Sequence, residues 1–86
     1  MQKYQKVYLE YFNYGEQDYI PSEISGSLAV DIHHIILKSA GGKDEIGNLI
    51  ALNKEEHDRA HFKEEPYLLE DELFEHHKKF MVNHEI

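Results

Sequence analysis

Residues 31–35 read "DIHHI" and residues 57–61 read "HDRAH". The first stretch sets two adjacent imidazoles in a short apolar run, where neighbouring side chains of a strand leave on opposite faces. The second spaces His57 and His61 four apart, which on a helix puts both rings on one face about one turn apart. That spacing lets two imidazoles reach one metal ion. On its own it also suits ordinary surface or capping histidines, just as "IHHI" on its own suits a half-buried strand with satisfied histidines. Two pairs in one short chain, with Asn48 between them, favour a shared site.

The flanking residues suggest the elements that would carry this site. Gly26 marks a turn, and Leu28 to Ile32 reads as a short strand. "KSAGGKDEIGN" is a polar loop hinged at Gly41-Gly42, and Leu49 to Leu52 is a second apolar run. Asn53 with Glu56 three positions later forms a capping box, so a helix is expected from about Lys54 to Phe62. Pro66 suits a first helical turn. An acidic helix is expected over about 66–83, with Leu69, Leu73, Phe80 and Met81 toward the body. Within the tyrosine-rich first 21 residues, Val7 to Phe12 fits a strand or a short helix, and periodicity leaves both open. His76, His77 and His84 lack a spacing that matches the site and read as surface residues.

At 86 residues the chain is expected to form one small domain, 1–86. Such a chain buries only about 60–65% of its unfolded surface, so it tends to lean on disulfides, metals or partners. It has no cysteine, which excludes disulfides, thiolate zinc sites and cysteine nucleophiles and fits a reducing compartment. With no long apolar run and no leader-like start, the expected location is cytoplasmic, with no membrane partner. The formal charge of −8 counts against a nucleic-acid partner. However, residues 64–86 hold seven acids against two lysines, whereas residues 22–63 hold seven acids against five basic residues. The acidity is concentrated in the tail.

The order His33-His34, Asn48, His57, His61, carried by "AVDIHHI", "SAGG", "NLIAL" and "HDRAH", resembles the HNH endonucleases. Within that family the pattern is most similar to the His-His type of colicin DNases, over roughly residues 20–63. The resemblance implies an α+β domain with a ββα-metal core, extended by an N-terminal aromatic segment and a C-terminal helix. It also implies a phage or bacterial enzyme that uses a metal to hydrolyse DNA, or RNA, at phosphodiester bonds.

Position by position, His33, His57 and His61 match the metal ligands and His34 matches the general base that activates water. Asn48 matches the residue that braces the loop. Asp31 stands where an acid can orient an imidazole, or equally where it is a strand-end charge in solvent. The division of labour suits in-line displacement, one histidine of the pair holding the metal while its neighbour takes the proton of water. One divalent ion is implied (Zn, Ni, Mn or Mg), and imidazole ligands favour transition metals.

Two departures shape the expectation. The paired cysteines that bind a second zinc in many HNH domains are replaced by residues 22–25, "SEIS", and 53–56, "NKEE". The Asn53/Glu56 capping box, the aromatics and the last helix are the expected stand-ins. The basic residues near the motif are few, namely Lys38, Lys43, Lys54, Arg59 and Lys63. Weak intrinsic DNA affinity is therefore expected, with a protein partner reached through the acidic C-terminal helix. The alternative reading is a non-cleaving module that keeps the fold to bind nucleic acid or protein.

Overall fold

The computed structural model describes residues 1–85. Helix α1 spans Lys3–Phe12, strand β1 Asp31–His34, strand β2 Leu49–Leu52, helix α2 Lys54–Ala60 and helix α3 Glu70–Glu85. Short 3-10 turns at Lys38–Ala40 and Ile46–Asn48 lie between the strands. The strands pair antiparallel, from Asp31 opposite Leu52 to His34 opposite Leu49. The result is an α+β fold built on a ββα core, as expected. No helix among the described residues is long and apolar enough to cross a membrane.

Strand β2 is buried on both faces, and its period-two alternation divides one apolar run between two clusters. Leu49 and Ala51 pack with Ile32 against Tyr8 and Phe12 of α1. Ile50 and Leu52 join Ile35, Leu68 and Leu73 on the other side. Helix formation at Val7–Phe12 follows from this packing. A strand would carry Glu10 onto the face of Tyr8 and Phe12, whereas a helix turns it to solvent and gathers Tyr4, Tyr8 and Phe12 at intervals of four. Gln5 Oε1 accepts from the Gln2 amide (2.9 Å) at the helix start, and Asn13 closes the end at φ 58°.

Several boundaries differ from the sequence reading. The strand begins at Asp31, while Leu28 only bridges Pro21 and is exposed. Helix α2 stops at Ala60, with His61 as its cap. The last helix begins at Glu70 rather than near Pro66. The Leu68 amide bonds to the Arg59 carbonyl (3.1 Å) and drops Leu68 into the core, which leaves Leu69 exposed instead of facing the body. Leu73 is buried and Phe80 and Met81 pack inward, as expected.

His77 is a correction: it is buried, not a surface residue. It falls four after Leu73 and three before Phe80, on the apolar stripe of α3. Its Nε2 donates to the Ile46 carbonyl (2.7 Å), and its Nδ1 meets Glu23 Oε1 (2.6 Å). Glu23, itself buried, also accepts from the Tyr8 hydroxyl (2.7 Å) and the Ala51 amide (3.3 Å). This one carboxyl group ties α1, β2 and α3 together, and its partners offset the cost of removing it from water. Burial, with Glu23 beside it, pushes the Tyr8 hydroxyl well above its ordinary range and keeps it a donor.

The residues that replace the cysteine pairs make a second polar knot. Ser22 Oγ donates to Glu56 Oε1 (2.5 Å) and accepts from the amides of Ile24 and Ser25. Glu56 Oε1 also accepts from the Asn53 amide (2.8 Å), while Asn53 Oδ1 accepts from the Glu56 amide (2.8 Å). Asn53 Nδ2 reaches Ser27 Oγ (2.9 Å). The expected capping box is present, and it is stitched to the segment before β1.

Candidate active site

Register explains how adjacent histidines serve two sides of the sheet. His33 lies opposite Ile50 and so turns toward α2, where its ring centroid is 5.3 Å from that of His57 and 4.9 Å from that of His61. His34 lies opposite Leu49 and turns toward α1, its ring 4.6 Å from that of Tyr4. Both still border one shallow cleft of about 200 Å³, because β1 is a sheet edge. Asp31, Lys38, His57 and His61 also line it, beside Tyr4, Ile32 and Leu37.

Ligand nitrogens of His33, His57 and His61 all lie within 4.8 Å of one another. The Nε2 atoms of His57 and His61 are 3.0 Å apart. Two imidazole nitrogens bound to one ion at about 2.1 Å sit roughly 3.0–3.4 Å apart, so this spacing is close to that of a shared cation. The protonation states fit as well. Burial first, and then the neighbouring rings of His61, His57 and His34, lower the His33 pKa to about 4. His57 is also lowered by burial, with Asp31 acting against the shift. Both are neutral at pH 7, the form that ligates metal.

Asp31 Oδ2 is 3.5 Å from His57 Nε2, the same nitrogen that faces His61. A carboxylate that only oriented the ring would meet the other nitrogen. Asp31 therefore stands on the side where a cation would bind, half-exposed, with Oδ1 accepting from the Ile32 amide (2.8 Å).

On the other side of β1, His34 Nε2 is 2.8 Å from Asp44 Oδ1. Asp44 Oδ2 accepts from Lys38 Nζ (3.2 Å). The hydrogen bond from His34, then the Lys38 charge, holds the Asp44 carboxyl below its ordinary range and makes it an acceptor. Nε2 of His34 thus carries the proton and leaves Nδ1 as the basic nitrogen. Sequence reasoning missed Asp44 and Tyr4. Asp44 had a signal, as one of two acids in a loop whose glycines force the chain to fold back on itself.

Asn48 holds that loop. Its Oδ1 accepts from the Ile36 amide (2.8 Å), and its Nδ2 donates to the carbonyls of Ile36 and Lys43 (3.1 Å each). Gly42 makes the arrangement possible, since a Cβ there would lie 1.7 Å from the Ile36 carbonyl oxygen. Arg59 does not face the cleft's rim. Its Nε donates to the Pro66 carbonyl (2.6 Å), with Nη1 3.8 Å from Glu55.

No curated protein and no solved structure matches this chain. The family model for HNH endonuclease matches residues 21–63, half of the chain, and that span contains the two histidine pairs, Asp44 and Asn48. With the ββα core and the convergent histidines, this match settles the family: the chain belongs to the HNH endonucleases.

Proposed function

We propose that the chain is a metal-dependent endonuclease of the His-His type that hydrolyses DNA phosphodiester bonds. The observation that carries this reading is the convergence of three imidazoles one strand position from a fourth, His34, whose ring is fixed by a carboxylate. In this reading His33, His57 and His61 hold one divalent ion, with Asp31 a further oxygen donor beside them. When bound, the ion supplies positive charge to the phosphate and the leaving oxygen.

The protein's own groups do the proton work. His34 Nδ1 accepts the proton of the attacking water, while Asp44 accepts the Nε2 hydrogen bond and stabilises the imidazolium that forms. The water oxygen bonds to phosphorus as the opposite P–O bond breaks, and the leaving oxygen is protonated from solvent. Asn48 acts through the backbone, since Ile36 and Lys43 are the loop positions flanking the His34–Asp44 contact. Tyr4 covers the His34 ring and limits its rotation.

Plasmid nicking with Mg, Mn, Ni and Zn tests the reading. His34→Ala should lose about 10²–10⁴-fold in rate, the range for a missing general base, with metal affinity unchanged. His57→Ala should lose metal affinity first and recover partly at higher metal concentration. Rescue of His34→Ala by metal would refute the assignment.

A non-cleaving binding module is the second reading, favoured by the formal charge of −8. Calorimetry separates the two. Metal binding that requires His33, His57 and His61, without turnover under any metal, would select the module.

A further inference from the structure

Helix α2 ends in a Schellman turn, with the Phe62 amide bonded to the Arg59 carbonyl (3.3 Å) and the Lys63 amide to the Asp58 carbonyl (2.9 Å). The position after the cap must enter the left-handed region, and glycine or asparagine is its ordinary occupant. Here it is Phe62, at φ 60° and 57% exposed. A bulky aromatic is disfavoured at this backbone position, and its exposure offers no burial in return. Strain of this kind concentrates at functional sites.

Phe62 is not an isolated ring. Tyr67, 43% exposed, meets it edge to face with centroids 5.1 Å apart. The intervening loop is pinned to α2 by Arg59, whose carbonyl accepts from Leu68 and whose Nε donates to Pro66. The pair is thus a rigid, solvent-facing aromatic surface that begins one residue beyond His61. Lys63 is followed by Glu64 and Glu65, all exposed, so aromatic area rather than net positive charge is what this loop offers.

We propose that Phe62 and Tyr67 form a stacking platform for an unpaired base, which directs the enzyme to single-stranded or locally opened DNA. This inference rests on the endonuclease reading for its placement beside the cleft. The chemistry is that of aromatic rings meeting the π-face that every base presents, an interaction that needs no sequence readout. A fully paired duplex hides those faces, so the platform discriminates against it.

The experiment uses the full chain. Binding is measured in the His34→Ala background with a labelled oligothymidine, a perfect duplex and a duplex with a central bubble, while wild-type plasmid nicking is followed alongside. The chain has no tryptophan, so Phe62→Trp gives a unique emission that a stacked base should quench. The expected result is tighter binding to oligothymidine and bubble than to duplex. Phe62→Asn should weaken the first two about 5- to 100-fold, the range for one lost stacking partner, and leave duplex binding unchanged. Its thermal midpoint should stay level or rise, because asparagine tolerates the left-handed backbone, so the loss is not one of folding. Equal affinity for all three DNAs, or no effect of Phe62→Asn, would overturn the platform. So would a change in sedimentation on Phe62→Asn, which would mark the pair as a self-association face. Cleavage without a platform effect removes this inference and keeps the nuclease, whereas a platform effect without cleavage does the reverse.

Discussion

Replacing Glu56 with alanine should reveal what stands in for the missing cysteines. Glu56 is 3% exposed, and its Oε1 accepts from both Ser22 Oγ and the Asn53 amide. Truncation leaves the Ser22 hydroxyl, 2% exposed, without its acceptor, a penalty of about 1–3 kcal/mol. Loss of half the capping box at the start of α2 adds about 0.5–1 kcal/mol. A total near 3 kcal/mol is a large share of the roughly 4–13 kcal/mol expected for a domain of this length. It corresponds to a fall in Tm on the order of 12–24 °C. Urea and thermal unfolding followed by far-UV circular dichroism would measure it. Glu56→Gln keeps an acceptor oxygen and should cost about 1 kcal/mol. Because Ser22 and Glu56 share one hydrogen bond, Ser22→Ala in the Glu56→Ala background should cost less than it does alone. A loss under about 1 kcal/mol for Glu56→Ala, or strict additivity with Ser22→Ala, would refute the view that this knot substitutes for a structural zinc.

Asp44→Asn should lower the nicking rate about 10- to 100-fold at saturating metal while leaving metal affinity unchanged, because it removes the carboxylate that orients His34 and not a ligand; an unchanged rate would detach Asp44 from the reaction. Metal-free stability should fall in acid. The unfolded His33 takes up a proton near pH 6.5 and the folded one only near 4, so unfolding gains a proton as pH drops through that window. The limit is about 3 kcal/mol for this buried ring, present in full below the folded value and absent above the unfolded one. Urea midpoints at both ends of the window should show this slope in the wild type, and His33→Ala should flatten it; equal slopes would refute the assignment.

The arrangement of the candidate histidines was legible in the sequence as far as it depends on spacing within single elements. Four residues on a helix bring His57 and His61 together regardless of the rest of the chain, and strand alternation sends His33 and His34 to opposite faces. What was not legible depends on contacts distant in sequence. His77 reads as one more histidine in an acidic helix until Glu23, 54 residues earlier, and the Ile46 carbonyl are placed beside it. Asp44 looks like loop polarity until Asn48 and Gly42 fold the loop back toward His34. Helix α1 was ambiguous for a related reason. Its apolar residues fit two periods, and the choice is made by the β2 face that Tyr8 and Phe12 cover.

The charge distribution yields a final prediction, on salt. Of the five basic residues near the motif, Lys38 is paired with Asp44, Lys54 with Asp58 and Arg59 with Glu55. Exposed pairs of this kind cost little to open. Opening one toward a phosphate nevertheless leaves its acid close to the same phosphate, so the net attraction is small. Lys43 and Lys63 carry no ion pair among the described residues and are the cations free to displace counterions. Two such contacts give a slope of log K against log salt of about −2, whereas all five would give about −4.5. Fluorescence anisotropy with a labelled duplex, measured across a salt series in metal-free buffer, reads this slope directly. A shallow slope would mean that non-ionic contacts supply most of the metal-free affinity for the duplex. A slope steeper than about −4 would show that Lys38, Lys54 and Arg59 leave their acids for phosphate, and the pairing argument would fail.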